Sequence, residues 1–384
     1  MTVTAMFSDV IDFIRTAYKT DEFLPLHEPV FFGNEKKYLE ECIDSTFVSS
    51  VGRYVDRFEE MMAAYTGARY AVATVNGTAA LHIALKLAGV DAHSEVITQP
   101  LTFIATCNAI SYCGASPVFV DVDRSTMGLS PESLRDFLKH ETVQKTDGCY
   151  NRSSGKKIAA VVPMHTFGHA CRIGEIASLC DEYNIVLVED AAESLGSFYK
   201  GRHTGTFGKI SAFSFNGNKT ITTGGGGMIV TDDEALAKRA KHITTTAKLP
   251  HPYEYVHDEI GYNYRLPNLN AALGCAQMET LDEILENKRV LAEEYACFFK
   301  DPEMAFFTEP KDSRSNYWLN ALVLSGKTER DAFLKATNDA GVMTRPIWQL
   351  MSRLKMFESC QSGDLSNAVW LEERVVNIPS GVRR

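Results

Sequence analysis

The sequence lacks the signatures of several large protein classes. No G-x-G-x-x-G follows its first strand-like run, which argues against a plain Rossmann-type nucleotide binder. Its glycine-rich stretch, "FSFNGNKTITTGGGG" at 213–227, is not a P-loop, because Asn218 stands directly before Lys219 where that motif needs glycine. Nine cysteines, an odd number, are scattered without a C-x-x-C pair, which excludes a disulfide frame and a zinc site and suits reduced cytosolic thiols. There is no basic patch beyond short runs such as "RSSGKK", and the net charge is −10, so nucleic acid is not an expected partner. No apolar run reaches membrane-spanning length. The opening "MTVTAMFSDVIDFIRTAYKT" is no secretory signal, since Asp9, Asp12 and Arg15 interrupt it and suit an amphipathic helix. A cytoplasmic protein without metal or membrane partner is expected.

With 384 residues, 45% of them hydrophobic, the chain can fill a large domain and a smaller one. From about residue 70 to 230, apolar β-rich runs alternate with helix-like segments: "ARYAVAT", "SEVIT", "SPVFVDV", "KIAAVVP", "NIVLVED", "KISAFSF" and "GGMIVTD". Runs apolar on both faces and spaced by helices predict an α/β fold with a mostly parallel seven-stranded sheet. The spacing predicts a helical extension over 1–24, a large domain over 25–270 and a smaller α+β domain over 271–384. "LNAALGCAQMETLDEILENKRVLAEEYACFFK" reads as one long helix bridging into the second domain, and "GCYNRSSGKK" (148–157) as an exposed polar loop.

Ligands of such sheets bind at the C-terminal ends of the strands. At the first, Asn76-Gly77-Thr78 turns directly into a helix, and free N–H groups at a helix start suit a phosphate; an ordinary strand-to-helix turn is the alternative. Asp190 ends an apolar strand, where a carboxylate needs a cation or donors, although it could simply cap the next helix; Glu193 shares that edge. Phe103, after Pro100, could stack on a flat ligand or pack in the core. "SAFSF" delivers Ser214 and then Lys219 to the same rim. A lysine amine in a partly dry site loses its proton readily and can form a Schiff base, while a lone lysine is more often a solvated one. Together, phosphate site, ring acid, stacking aromatic and amine are what pyridoxal 5'-phosphate requires.

"NGTAALHIAL", "PLTFIAT", "VEDAAESLGS", "FSFNGNKTITTGGGG" and "GYNYRLPNLNAALG" together resemble the DegT/DnrJ/EryC1/StrS sugar aminotransferases over nearly the whole chain. The resemblance implies the fold-type-I, aspartate-aminotransferase-like architecture. It makes Lys219 the covalent cofactor lysine and proton carrier, and Asp190 the partner of the pyridinium. Glu193 then lies near the cofactor's 3-hydroxyl and Phe103 against its ring. Gly77, Thr78, Ala79, Ser214 and Asn216 fall on the cofactor side, the phosphate above all. Asn263 would reach that phosphate from the partner subunit of a homodimer, and His165, Asn218 and Arg265 would lie near the substrate. Lys219 separates the chain from the branch that carries histidine there and acts as a dehydratase.

Within the family, the N-terminal extension, "LPLHEPVFFGNEKKYL", the "GCYN" insertion and "PMHTFGH" resemble the legionaminic acid branch, with bacillosamine-type enzymes as cousins. This implies transfer of the amino group of L-glutamate, leaving 2-oxoglutarate, through the pyridoxamine form to the 4-keto carbon of a UDP-linked 4-keto-6-deoxy-N-acetylhexosamine. The product would be an equatorial amine, UDP-4-amino-4,6-dideoxy-N-acetylglucosamine, for a surface glycan or nonulosonic acid. The alternatives are a GDP-linked ketosugar, as in the perosamine synthases that share the "DAAE" motif, and a non-catalytic sensor of pyridoxal phosphate or a sugar nucleotide.

Overall fold

The computed structural model describes residues 7–383; residues 1–6 of the expected N-terminal extension lie outside them. All seven apolar runs are strands: β1 (Tyr70–Thr74), β2 (Ser94–Thr98), β3 (Ser116–Phe119), β6 (Lys157–Val162), β7 (Val186–Asp190), β10 (Ile210–Ser214) and β11 (Gly227–Thr231). They lie in the order β1-β11-β10-β7-β6-β2-β3. Only β11 pairs antiparallel to its neighbours, and the other pairings are parallel.

Both faces of this sheet are covered, which is why its strands are apolar throughout. On β10, Ala212 packs with Leu81, Ile110 and Ile243 from the helices at Gly77–Leu87, Ile104–Tyr112 and Glu234–Thr244. Its neighbour Phe213 turns the other way, into a core with Phe58 and Ala272. Helices Pro131–Glu141 and Ile173–Glu182 cover the far part of that second face through Leu134, Phe137 and Ile176.

Two expectations are corrected here. Residues 148–157 are not a loop alone: β4 (Thr142–Lys145) and β5 (Gly148–Asn151) form a hairpin that extends the sheet beside β6, with Cys149 fully buried. The bridging helix is two helices, Asn268–Glu279 and Leu281–Phe298, divided at Thr280. The first packs on the large sheet's helices, and the second carries Leu291 and Tyr295 into the C-terminal core.

Small strands β8 (Phe198–Tyr199) and β9 (Arg202–His203) pair with each other, and β13 (Ser313–Arg314) joins them through β8. The C-terminal part is an antiparallel sheet, β12 (Met304–Phe306), β14 (Asn320–Leu324), β16 (Val375–Ile378) and β15 (Arg345–Pro346), in that order. Helix Ser8–Tyr18 buries Val10, Ile11 and Ile14 in this part's core, beside Phe333 and Val376. Lys288 is fully buried between the two parts and donates to the carbonyls of Trp318 and Ser380. Edge strand β15 faces the C-terminal ends of the large sheet, and a cavity of about 630 Å³ lies between them.

Candidate active site

The floor of the cavity is built from the ends of β1, β7 and β10. Asn76 caps helix Gly77–Leu87, its side-chain oxygen accepting from the Ala79 N–H at 2.8 Å. The N–H groups of Gly77 and Thr78, in the first turn, have no acceptor within the helix. Gly77 is required by space: a Cβ there would stand 2.7 Å from the Cβ of Ser214 on β10. Gly227 is more constrained still, with a Cβ falling 2.4 Å from the Asn76 carbonyl oxygen. The glycine run thus lets β11 start directly against the turn after β1.

Asp190, at the end of β7, is buried. Its Oδ2 accepts from the Thr106 hydroxyl at 2.7 Å and its Oδ1 from the Ala192 N–H at 3.2 Å. Burial pushes its carboxyl up, and these donors oppose that only in part. Among the described residues no cation stands within ion-pair distance of it, so the site offers a dry carboxylate to a cationic ligand.

Lys219 lies in the turn after β10, its Nζ 3.3 Å from Glu193 Oε1 and 3.8 Å from the centre of the Trp318 ring. The Trp318 indole N–H donates to the Asn218 carbonyl at 2.6 Å, which fixes that wall to the lysine's own turn. Glu193 accepts from the Phe167 N–H at 2.8 Å through its other oxygen. Phe167 holds that N–H in place with a left-handed backbone, φ 58°. Burial raises the Glu193 carboxyl to about 7 against the pull of Lys219. The Glu193 carboxyl can therefore hold a proton near neutral pH within reach of the Lys219 amine.

A family model for the DegT/DnrJ/EryC1/StrS aminotransferases matches residues 32–383. The chain belongs to that family. This DegT/DnrJ/EryC1/StrS aminotransferase is 37% identical over 361 residues to a GDP-perosamine synthase of Escherichia coli O157:H7, covering 94% of this chain and 93% of that one. A GDP-perosamine synthase of Vibrio cholerae is 36% identical, covering 93% and 94%. The crystal structure of the aminotransferase TlmJ from Streptoalloteichus hindustanus superimposes with a TM-score of 0.84 at 25% identity, covering 93% of both chains. These relatives do not carry the legionaminic acid and bacillosamine likeness expected from sequence.

Aminotransferases of this family use pyridoxal phosphate and its pyridoxamine form, and the residues of the site fit that group. The Gly77 notch and free N–H groups suit its phosphate, the buried Asp190 its ring nitrogen, and the shielded Lys219 its aldehyde. The structure brings Gly77, Thr78, Phe103, Asp190, Glu193, Ser214, Asn216, Asn218 and Lys219 to this one cavity. Phe103 is half exposed, its ring edge-on to Trp348 at 6.4 Å.

Three expected residues are placed differently. The Ala79 N–H is already taken by Asn76. His165 is fully buried, with its Nε2 3.0 Å from Glu189 and its Nδ1 accepting from the Cys171 N–H at 3.3 Å. It faces away from the cavity, because Glu189 precedes Asp190 on β7 and points to the opposite side. Arg265 bridges to Thr74 and does not line the cavity, whereas Asn263, expected to act on a partner's site, is exposed and lies outside the cavity of its own chain. Sequence reasoning missed Thr106, Trp318 and the strap Arg345–Gln349. The chain has only three tryptophans, and two of them, Trp318 and Trp348, line this cavity, which is the signal that could have found them.

Proposed function

We propose that the chain moves the amino group of L-glutamate to the C4 keto carbon of a nucleotide-linked 4-keto-6-deoxyhexose. The observation that carries this reading is the Lys219–Glu193 pair beside Asp190 on the floor of a cavity far larger than glutamate needs. Bound pyridoxal phosphate supplies the electron sink. Asp190 keeps a cationic ring nitrogen protonated. With that group bound, Lys219 Nζ would deliver and remove the proton at sugar C4, and Glu193 Oε1 would hold and orient that amine. Trp318 and Phe167 exclude water from the pair.

The named relatives support a GDP-linked ketosugar ahead of the UDP-linked N-acetylhexosamine. One observation keeps the UDP reading as second: Leu26, within the stretch "LPLHEPVFF" that suggested it, lines the cavity. The β4–β5 hairpin, another such feature, lies off the floor-forming strands, on the β6 start. The reading includes a homodimer with Asn263 reaching the partner's cofactor phosphate.

The test is the visible spectrum of protein loaded with pyridoxal phosphate, before and after L-glutamate, followed by GDP- or UDP-4-keto-6-deoxysugar. Wild type is expected to lose the band of the lysine-bound cofactor with glutamate and to regain it with the true ketosugar, and Lys219→Ala never to show it. Recovery with the GDP-sugar alone sets the first reading, recovery with the UDP-sugar alone the second. No response to glutamate sinks both.

A further inference from the structure

We infer that Arg345 binds the diphosphate of the nucleotide-sugar acceptor at the mouth of the cavity, an inference that rests on the amino-acceptor class proposed above. Arg345 starts edge strand β15, in register with Asn377 of β16, and Pro346 follows it. It is exposed, whereas the Lys219 side chain on the floor is only 13% accessible. Its Nη1 donates to two neutral oxygens, Asn338 Oδ1 at 3.2 Å and the Thr344 carbonyl at 3.0 Å, which hold the guanidinium at that nitrogen. Among the described residues no carboxylate pairs with it, and its Nε and Nη2 make no hydrogen bond. Among the described residues Lys219 and Arg345 are the two cations lining the cavity, and Lys219 is already paired with Glu193.

The remaining charges explain why a cation is needed at the mouth. Asp190 and Glu193 make the floor acidic, and the whole chain carries −10, so a dianionic substrate is repelled. C1 and C4 lie at opposite corners of a hexose ring. With C4 at Lys219, the diphosphate on C1 points away from the floor and sits farther from the reacting carbon than either carboxylate of glutamate. Phe167 and Trp348, with ring centres 4.9 Å apart, and Phe103, edge-on to Trp348, line the same cavity and offer an apolar wall to the sugar's C–H face. A guanidinium whose Nε and Nη2 N–H groups are free, on an exposed residue of the same cavity, matches a diphosphate in shape and charge.

The experiment separates the two half-reactions in the loaded enzyme and measures binding of plain GDP and UDP by calorimetry. For Arg345→Met, KM for the ketosugar and Kd for the nucleoside diphosphate rise about 10- to 100-fold together. Arg345→Lys restores part of the loss, and the glutamate half-reaction slows less than twofold. If instead the glutamate step collapses while nucleotide binding holds, the arginine serves the donor's carboxylate and the inference is overturned. It is overturned equally if neither changes. Should wild type bind a nucleoside diphosphate through Arg345 yet aminate neither ketosugar, the proposed reaction fails while this site stands.

Discussion

Glu193 is almost wholly buried, and burial lifts its carboxyl from its ordinary 4.5 to about 7, although Lys219 and the Phe167 N–H pull the other way. Between those values the folded chain keeps a proton that the unfolded chain has lost. Its contribution to stability is therefore complete below about pH 4.5 and is lost as the pH rises to about 7. At roughly 1.4 kcal/mol per pH unit, the span is worth on the order of 3 kcal/mol in the cofactor-free protein. Glu193→Gln cannot ionise at this position, so across this window the Tm of wild type should fall relative to that of the variant. Parallel Tm profiles for the two proteins would show that Glu193 does not hold the proton. At this scale the sequence was informative where a polar residue follows an apolar run, as at Asp190 and Lys219. It was misleading at His165, because which way a side chain faces at a strand end depends on a register that spacing alone does not display.

The elements carry the cradle. β11 can begin against the Asn76–Gly77 turn only because residue 227 has no side chain. Gly227→Ala should destabilise the fold by about 1–3 kcal/mol and, by displacing the helix start, weaken retention of pyridoxal phosphate. Gly217→Ala, with nothing within 4 Å of its added Cβ, is the control and should be neutral in both. Denaturant titration and a fluorescence titration with the cofactor check this; equal behaviour of the two variants would remove the packing argument. The seven large-sheet strands were legible because burial on both faces leaves an uninterrupted apolar run. The β4–β5 hairpin was not, since "TVQK" and "GCYN" are short, polar and glycine-bearing, and their pairing is set by the edge they dock on. The helix break at Thr280 was hidden because apolar spacing runs through it into Leu281, Ile284 and Leu285.

At the scale of the whole molecule, part of the cavity wall, including Trp318 and the strap Arg345–Gln349, comes from the C-terminal part, and no local pattern links Trp318 or Arg345 to Lys219 across so long a stretch of sequence. The same non-locality extends to a second copy. Tyr253, Tyr255 and Ile260 are 80%, 82% and 84% exposed on the segment leading to Asn263, an apolar surface that suits burial against another subunit. If Asn263 serves the partner's site, as proposed, then Lys219→Ala and Asn263→Ala should each be nearly inactive alone. Refolded together, they should form mixed dimers in which one site joins an intact Lys219 to an intact Asn263. Random pairing makes half the dimers mixed, with one working site of two, so the mixture should recover about a quarter of wild-type turnover. If Asn263 serves only its own chain, each mixed dimer holds two defective sites and nothing returns. The Lys219→Ala copy cannot itself turn over, so recovered activity must arise across a subunit boundary.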